Sequence, residues 1–203
     1  ARRAERLGAD ALLLTTPYYN KASSAGIVRH FSYVAEHSEL PLIVYNVPSR
    51  TGVSCTPEHY ARLAEIPRIN GVKEASGDIS LVSRTRRLCG DALNIWSGND
   101  DQTLPMLALG AKGVISVASN VVPQVMSALC TAALSGDFFT ARALHEAYAE
   151  LFEALFYEVN PIPVKTAMQL LGWDSGRLRL PLCPMAEENA ARLQACLESL
   201  QLL

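Results

Sequence analysis

The side chains best suited to chemistry lie where apolar segments end, and Lys73 is the foremost of them. Burial inside an apolar strand lowers the pKa of an amine and favours the neutral nucleophile that forms a Schiff base with a ketone. The alternative is a lysine neutralised by an ion pair with Glu74 or another acid. Adjacent strand residues point to opposite faces, which disfavours Glu74 as that partner. Only four of the 18 basic residues are lysines, so few amines compete with Lys73.

Tyr45 ends another apolar segment, and Arg50 lies in the Pro-Ser-Arg-Thr-Gly loop that follows it. A tyrosine beside an imine-forming lysine could pass protons to and from the substrate oxygen, or it could be a core aromatic with a satisfied hydroxyl. The Arg50 guanidinium could bind a carboxylate through two hydrogen bonds, or it could be a solvated loop charge. Tyr18 and Tyr19 are adjacent, so one of them could be presented elsewhere, for instance across a subunit interface.

Other chemistries find little support in the sequence. The five cysteines are scattered and form no C-x-x-C pair, which predicts reduced thiols and no metal centre. Asp100 and Asp101 could bind a divalent ion, but they fit the start of a helix better. No phosphate-binding glycine motif occurs. The histidines fall on predicted helices, away from strand ends, so a Ser-His-Asp triad has no natural placement: His30, His37, His59 and His145.

Short apolar runs that alternate with helical patterns must position these residues. Five such runs, typical of parallel strands covered on both faces, lie at 11–15, 42–45, 69–72, 93–96 and 113–117. Helical patterns separate them at 24–37, from Thr56 onward, at 79–88 and at 102–109. Reactive groups in such folds sit at the carboxyl ends of strands. Five parallel strands could form an open doubly wound sheet or five-eighths of a (β/α)₈ barrel.

The rhythm changes after Val117, where four helical patterns follow without a strand: 123–134, 138–156, 163–171 and 186–200. We therefore predict five βα units over residues 1–134, which are a partial barrel in the second of these alternatives, and a helical domain over residues 135–203. The 203 residues are 49% hydrophobic and 19% charged, as in a globular protein, and the net charge of −2 disfavours nucleic acid as a partner. No apolar run is long enough to span a membrane. The start at Ala1, without an initiator Met or a signal peptide, leads us to expect an incomplete chain.

Four motifs together resemble the dihydrodipicolinate synthase family of pyruvate-dependent class I aldolases, which also include N-acetylneuraminate lyase. They are Pro-Tyr-Tyr-Asn (17–20), Tyr-Asn-Val-Pro-Ser-Arg-Thr-Gly (45–52), Gly-Val-Lys-Glu-Ala-Ser-Gly (71–77) and Asn-Pro-Ile-Pro-Val-Lys (160–165). The resemblance runs over essentially the whole chain, in order. It implies a (β/α)₈ barrel followed by C-terminal helices, with these five βα units as the last of the barrel.

The resemblance also implies a reaction and its residues. Pyruvate would condense with L-aspartate 4-semialdehyde in the diaminopimelate route to lysine, with no cofactor beyond the covalent imine. Lys73 would form the Schiff base, Tyr45 would handle protons, and Tyr19 would act in the neighbouring subunit's site. Arg50 would bind the carboxylate of the aldehyde, and Gly98 and Ile115 would line the pyruvate pocket. A cytoplasmic homodimer or homotetramer is expected.

One departure from the family pattern bears on activity. The family's first three βα units, with the Gly-Thr-Thr-Gly-Glu loop that supplies a catalytic threonine, have no counterpart in the sequence. If this chain is the whole polypeptide, low activity or none is expected. Two alternatives stay open. One is a sister aldolase or lyase acting on N-acetylneuraminate or another 2-oxo sugar acid, which Arg50 disfavours. The other is a non-catalytic protein that binds 2-oxo acids.

Overall fold

The structure, a computed structural model, describes residues 1–203 and contains one parallel sheet. The sheet has four strands in the order β1-β2-β3-β4, so each strand lies beside its neighbour in sequence. Helices connect the strands, as the alternating pattern predicts. The strands are β1 (Leu12–Thr15), β2 (Leu42–Asn46), β3 (Ile69–Glu74) and β4 (Asn94–Ser97).

The chain forms ten α-helices, and each predicted helix is present to within two residues at either end. Thr56 is the N-cap of the helix Pro57–Ala64, as predicted. Its hydroxyl accepts a hydrogen bond from His59 N, and His59 Nδ1 accepts one from Thr56 N at 2.9 Å. His59 is therefore a buried capping residue of this helix. The helices are α1 (Arg2–Arg6), α2 (Ser24–Glu36), α3 (Pro48–Thr51), α4 (Pro57–Ala64), α5 (Ile79–Cys89), α6 (Thr103–Ala108), α7 (Pro123–Leu134), α8 (Phe138–Ala154), α9 (Ile162–Leu170) and α10 (Glu187–Ser199).

The fifth predicted strand is wrong. Residues 113–117 contribute a single parallel bridge, between Val114 and Ser97, and no strand. The chain leaves the sheet quickly because Gly113 has a φ of +151° on one side of the bridge and a 3₁₀ turn follows it at Ala118–Asn120. An apolar run of this length predicts a strand. Whether it extends a sheet depends on the backbone conformation of the residues on either side of the run.

Residues 1–115 form one compact unit around the sheet. Alternate strand residues such as Val44 and Val72 pack into a core with Phe31 of α2 and Leu63 of α4, and all four are nearly inaccessible to solvent. Each side chain of that size contributes about 1.5–3 kcal/mol of burial free energy. The core lies on the face of the sheet that these helices cover. The strand residues that alternate with Val44 and Val72 therefore point to the opposite face.

Residues 116–203 form a second, all-helical unit. Within it α7 packs against α8, and α10 packs against α8 and α9. Leu129, Leu151, Leu155 and Leu193 are fully buried between these helices. The two compact units divide at residues 115 and 116, and the domain boundary after residue 134 remains a prediction. No helix combines the length and the apolar character needed to cross a membrane.

Candidate active site

A row of four side chains crosses the sheet near its carboxyl-terminal edge. The register pairs Thr15 with Tyr45, Tyr45 with Lys73, and Lys73 with Trp96. Paired residues in a parallel sheet project to the same face, and this row alternates with the core residues Val44 and Val72. Tyr45 and Lys73, which lie far apart in sequence, are therefore neighbours on the face opposite the helix-packed core.

The Lys73 amine lies over the Tyr45 ring, with Nζ 4.4 Å from the ring centroid. None of the five salt bridges in the chain includes Lys73, so the ion pair considered from the sequence is absent. Burial lowers the pKa of Lys73, the negative charge of Asp100 opposes that effect, and the positive charge of Arg50 adds to it. Lys73 is thus neutral over a wider pH range than an ordinary lysine, as a Schiff-base nucleophile must be.

The Tyr45 hydroxyl is suited to donate a proton. Burial raises the pKa of Tyr45, and the charge of Arg50 offsets this only in part. The phenol therefore stays protonated at neutral pH and can donate to an oxygen that gains negative charge. Tyr45 and Lys73 together provide a proton donor and an amine on one face of the sheet.

Arg50 lies in α3, a single turn that the sequence indicated only as a loop. The turn ends at Gly52, whose φ of +71° is in the left-handed region that glycine adopts readily. The Arg50 side chain is exposed, and its charge acts on both Lys73 and Tyr45. A carboxylate bound to Arg50 would therefore lie close to the amine and the phenol.

Gly98 lies against Lys73, and this closeness explains the glycine. A Cβ atom at residue 98 would lie 3.1 Å from Lys73 Cε and 2.6 Å from the Cβ of Ala75. Gly71 makes similar room, since a Cβ there would lie 2.6 Å from Trp96 Cζ3. Ile115 is next to this region because its backbone N–H donates to Ser97 O at 2.9 Å. Gly98 therefore borders the Lys73 side chain, and Ile115 lies beside the end of β4, while their part in a pyruvate pocket remains a prediction.

Tyr19 is not brought into this group within the single chain. It is 89% exposed, has a φ of +67°, and makes no hydrogen bond or ring contact with Tyr45 or Lys73. A non-glycine residue at positive φ costs free energy, so the turn that holds Tyr19 outward is a specific feature of the loop. Tyr18 beside it is also exposed.

Sequence reasoning did not predict the roles of three residues near Lys73. Trp96 is its register neighbour, and the alternation of faces along two paired strands could have identified it only once the register was known. Asp100 is 2% exposed and influences the Lys73 amine, whereas the sequence indicated only a helix start. Glu74 is 3% exposed and binds a set of buried polar groups. No group of three or more His, Cys, Asp and Glu side chains could hold a metal ion.

Comparison with known proteins gives a consistent result over the whole chain. A family model described as the dihydrodipicolinate synthetase family matches residues 1–200. The 4-hydroxy-tetrahydrodipicolinate synthase of Geobacter sulfurreducens is 48% identical over 203 residues, which are 100% of this chain and 70% of that relative.

Two solved structures show the same agreement in three dimensions. The chloride-inhibited dihydrodipicolinate synthase of Acinetobacter baumannii, complexed with pyruvate, has a TM-score of 0.97 and 42% identity, covering 100% of this chain and 69% of that one. A monomeric dihydrodipicolinate synthase variant has a TM-score of 0.97 and 44% identity, covering 100% of this chain and 69% of its own. The predicted fold class, a parallel α/β barrel fold with C-terminal helices, is confirmed by this match.

Proposed function

Since the chain belongs to the dihydrodipicolinate synthetase family, we propose that it condenses pyruvate with L-aspartate 4-semialdehyde through a Schiff base on Lys73. The product would be 4-hydroxy-tetrahydrodipicolinate, in the diaminopimelate route to lysine. The observation that carries the proposal is the pair formed by Lys73 and Tyr45, an amine without a carboxylate partner whose Nζ lies 4.4 Å from the ring centroid of a protonated phenol.

The first half of the reaction activates pyruvate. The neutral Lys73 amine attacks the keto carbon and forms a C–N bond, and the keto oxygen leaves as water after taking up two protons. Tyr45 is the group placed to supply a proton to that oxygen. The resulting iminium withdraws electrons from the methyl group, so the methyl gives a proton to the Tyr45 phenolate and becomes the nucleophilic carbon of an enamine.

The second half uses the aldehyde. The enamine carbon attacks the aldehyde carbon and forms a C–C bond, while Tyr45 protonates the new alkoxide. The amino group of the aldehyde substrate can then attack the iminium carbon, which closes the ring and releases Lys73. Arg50 would hold the aldehyde by its carboxylate during both bond-forming steps. Gly98 and Ile115 would line the pyruvate pocket.

Trapping with borohydride tests the Schiff base directly. The chain is incubated with pyruvate, reduced, and digested, and the peptides are analysed by mass spectrometry. We expect the reduced pyruvate adduct on Lys73 and none on Lys165, which is ion-paired with Asp174. A folded protein with an unmodified Lys73 would overturn the proposal and favour a non-catalytic protein that binds 2-oxo acids.

Substrate choice is tested by offering pyruvate with each of two aldehyde partners. Turnover with aspartate semialdehyde supports the proposal, whereas turnover only with N-acetylmannosamine would assign the chain to the sister lyases. Arg50 supports the first outcome, because it offers a carboxylate site for the semialdehyde.

The exposed Tyr19 supports a homo-oligomer, a dimer or a tetramer, in which Tyr19 reaches the site of a second subunit. Mixing Tyr19→Phe chains with Lys73→Ala chains tests this, since a trans role would let the mixture recover activity that neither variant has alone. No recovery in a mixture shown by sedimentation to contain hybrid oligomers would exclude that role. The proposed location is the cytoplasm, which the five free cysteines favour.

A further inference from the structure

A second row of polar residues lies one position beyond the reactive row, on the opposite face of the sheet. The register pairs Asn46 with Glu74 and Glu74 with Ser97. All three are buried, with exposed fractions of 0%, 3% and 0%. Buried polar side chains require hydrogen-bond partners. The partners of these three residues therefore show which neighbouring segments they position.

Glu74 is the centre of the row and accepts from every side. Asn46 Nδ2 donates to both carboxylate oxygens, at 2.9 and 3.1 Å. Tyr60 Oη donates to one oxygen at 2.5 Å, and Ser76 N donates to the other at 2.8 Å. Burial raises the pKa of Glu74, and the hydrogen bonds from Tyr60, Ser76 and Asn46 oppose that effect. All four contacts come from donors, so the Glu74 side chain acts as an acceptor in each of them.

Asn46 links Glu74 to the loop that carries Arg50, because it hydrogen-bonds to both. Its amide nitrogen is committed to Glu74, so its Oδ1 faces away and accepts from Cys55 N at 3.0 Å. Asn46 and Cys55 flank residues 47–54, so this bond closes the base of the loop. Inside the loop the buried Thr51 hydroxyl lies 3.2 Å from Val47 O and 3.0 Å from Val53 O.

We infer that Glu74 is a positioning residue, which fixes the orientation of the Asn46 amide and thereby anchors the Arg50 loop for carboxylate binding. The inference rests on the proposed function, because it takes Arg50 as the group that binds the aldehyde. Because Asn46 Nδ2 donates to both carboxylate oxygens, replacing Glu74 by Gln would turn one of the two contacts into an N–H₂ group facing the Asn46 N–H₂ group. If the Asn46 amide turned over to relieve this, Cys55 N would lose its acceptor.

If the donor and acceptor arrangement is what matters, exchanging the acid and the amide between positions 46 and 74 should restore function. In Asn46→Asp/Glu74→Gln, one Asp oxygen accepts from Cys55 N and the other accepts from the Gln amide, so both bonds return. Glu74→Gln alone is expected to raise KM for aspartate semialdehyde about tenfold, the effect of one buried donor left without a partner. KM for pyruvate and the rate of borohydride trapping should change much less, and the double variant should restore the semialdehyde KM.

Hydrogen exchange supplies a readout that does not depend on activity. Peptides covering 47–55 should exchange faster in Glu74→Gln and return to the native rate in the double variant. Tyr60→Phe is the control: it removes one donor to Glu74 and the contact of the Tyr60 hydroxyl with the Cys55 thiol, but it leaves the polarity of the Asn46 amide unchanged. The Cys55 N–H, which is bound to Asn46 Oδ1, should therefore exchange as in the native protein. A general loss of packing would instead affect Tyr60→Phe and Glu74→Gln alike.

Failure of the inference is distinguishable from failure of the proposed function. If native protein forms no pyruvate adduct, the proposed function fails, and the exchange of residues 47–55 still decides the anchoring. If the adduct forms but the double variant is no better than Glu74→Gln in exchange and semialdehyde KM, the inference is overturned. Equal effects on both KM values would also overturn it.

Discussion

Lys73 and Lys165 are both half-buried amines, yet their surroundings differ in every respect that matters for reactivity. Lys165 lies on α9, with its Nζ 2.9 and 3.1 Å from the two carboxylate oxygens of Asp174. That hydrogen bond is the main cause of the lowered pKa of Asp174. Lys73 lies on a strand, over an aromatic ring and without an ion pair. The same degree of burial therefore leaves one amine committed to a carboxylate and the other available.

A neighbouring cavity does not reverse this difference. Lys165 borders a cavity of about 860 Å³ that is also lined by Arg177 and Arg179. Space and positive charge are present there, but both oxygens of the Asp174 carboxylate bind the amine, and an amine held in an ion pair is not available to attack a ketone. The two lysines therefore differ mainly in whether a carboxylate binds the amine, and less in whether a ligand can reach it.

Removing each lysine in turn gives the largest expected difference. Lys73→Ala should abolish the pyruvate adduct and lower turnover by on the order of 10³-fold or more, as loss of a nucleophile does. Lys165→Ala should leave the adduct on Lys73 intact and destabilise the fold by only about 1 kcal/mol or less, since its ion pair is partly exposed. Trapping measures the first effect and urea unfolding the second. Equal trapping by both variants would contradict the comparison.

Tyr45→Phe keeps the ring beneath Lys73 and removes only the hydroxyl. Turnover should fall by about 10²–10⁴-fold, the usual contribution of a positioned acid or base. The stability of the fold should change little because the ring still packs. Steady-state kinetics with unchanged circular dichroism would measure this, and a turnover near the native value would exclude Tyr45 as the proton donor.

Gly98→Ala should disturb Lys73 through contact alone. The added methyl meets Lys73 Cε and the Ala75 side chain at distances that force a shift. Overpacking of this kind destabilises by about 1–3 kcal/mol, and the displaced amine should form its adduct about tenfold more slowly. Gly26→Ala is the control, because its Cβ would make only ordinary contacts and alanine is the better helix former. Identical trapping rates for the two variants would show that Gly98 does not position Lys73.

Asp100→Asn tests the smallest effect, which is electrostatic. The charge of Asp100 raises the pKa of Lys73, so its removal should lower that pKa further. Adduct formation requires the neutral amine, so the trapping rate rises with pH through the Lys73 pKa, and the midpoint should move to lower pH in the variant. Arg50 acts in the opposite sense, so Arg50→Gln should move the midpoint to higher pH. If neither variant moves the midpoint, the charges of Asp100 and Arg50 do not set the pKa of Lys73.

The contrast between the two lysines was partly accessible from sequence. Lys73 interrupts an apolar run, whereas Lys165 lies in a helical pattern, and this already separated them. The ion pair to Asp174 was not predicted, because an acid nine residues away reaches Lys165 only when the chain turns back after α9. The fifth strand failed for the same kind of reason, since apolar character at 113–117 does not determine whether the bridge between Val114 and Ser97 extends to a second residue pair.

The sequence by itself determined the alternation of strands and helices, the helix starts such as Thr56, and the candidate residues at strand ends. These follow from local patterns of apolar residues and caps, which act over a few positions along the chain. Only the tertiary structure decided that Tyr45 and Lys73 share a row, that Gly98 must be a glycine, and that Glu74 orients Asn46. Those facts depend on sheet register and on side chains brought together from distant segments, where hydrogen-bond polarity and contact distance select the residue.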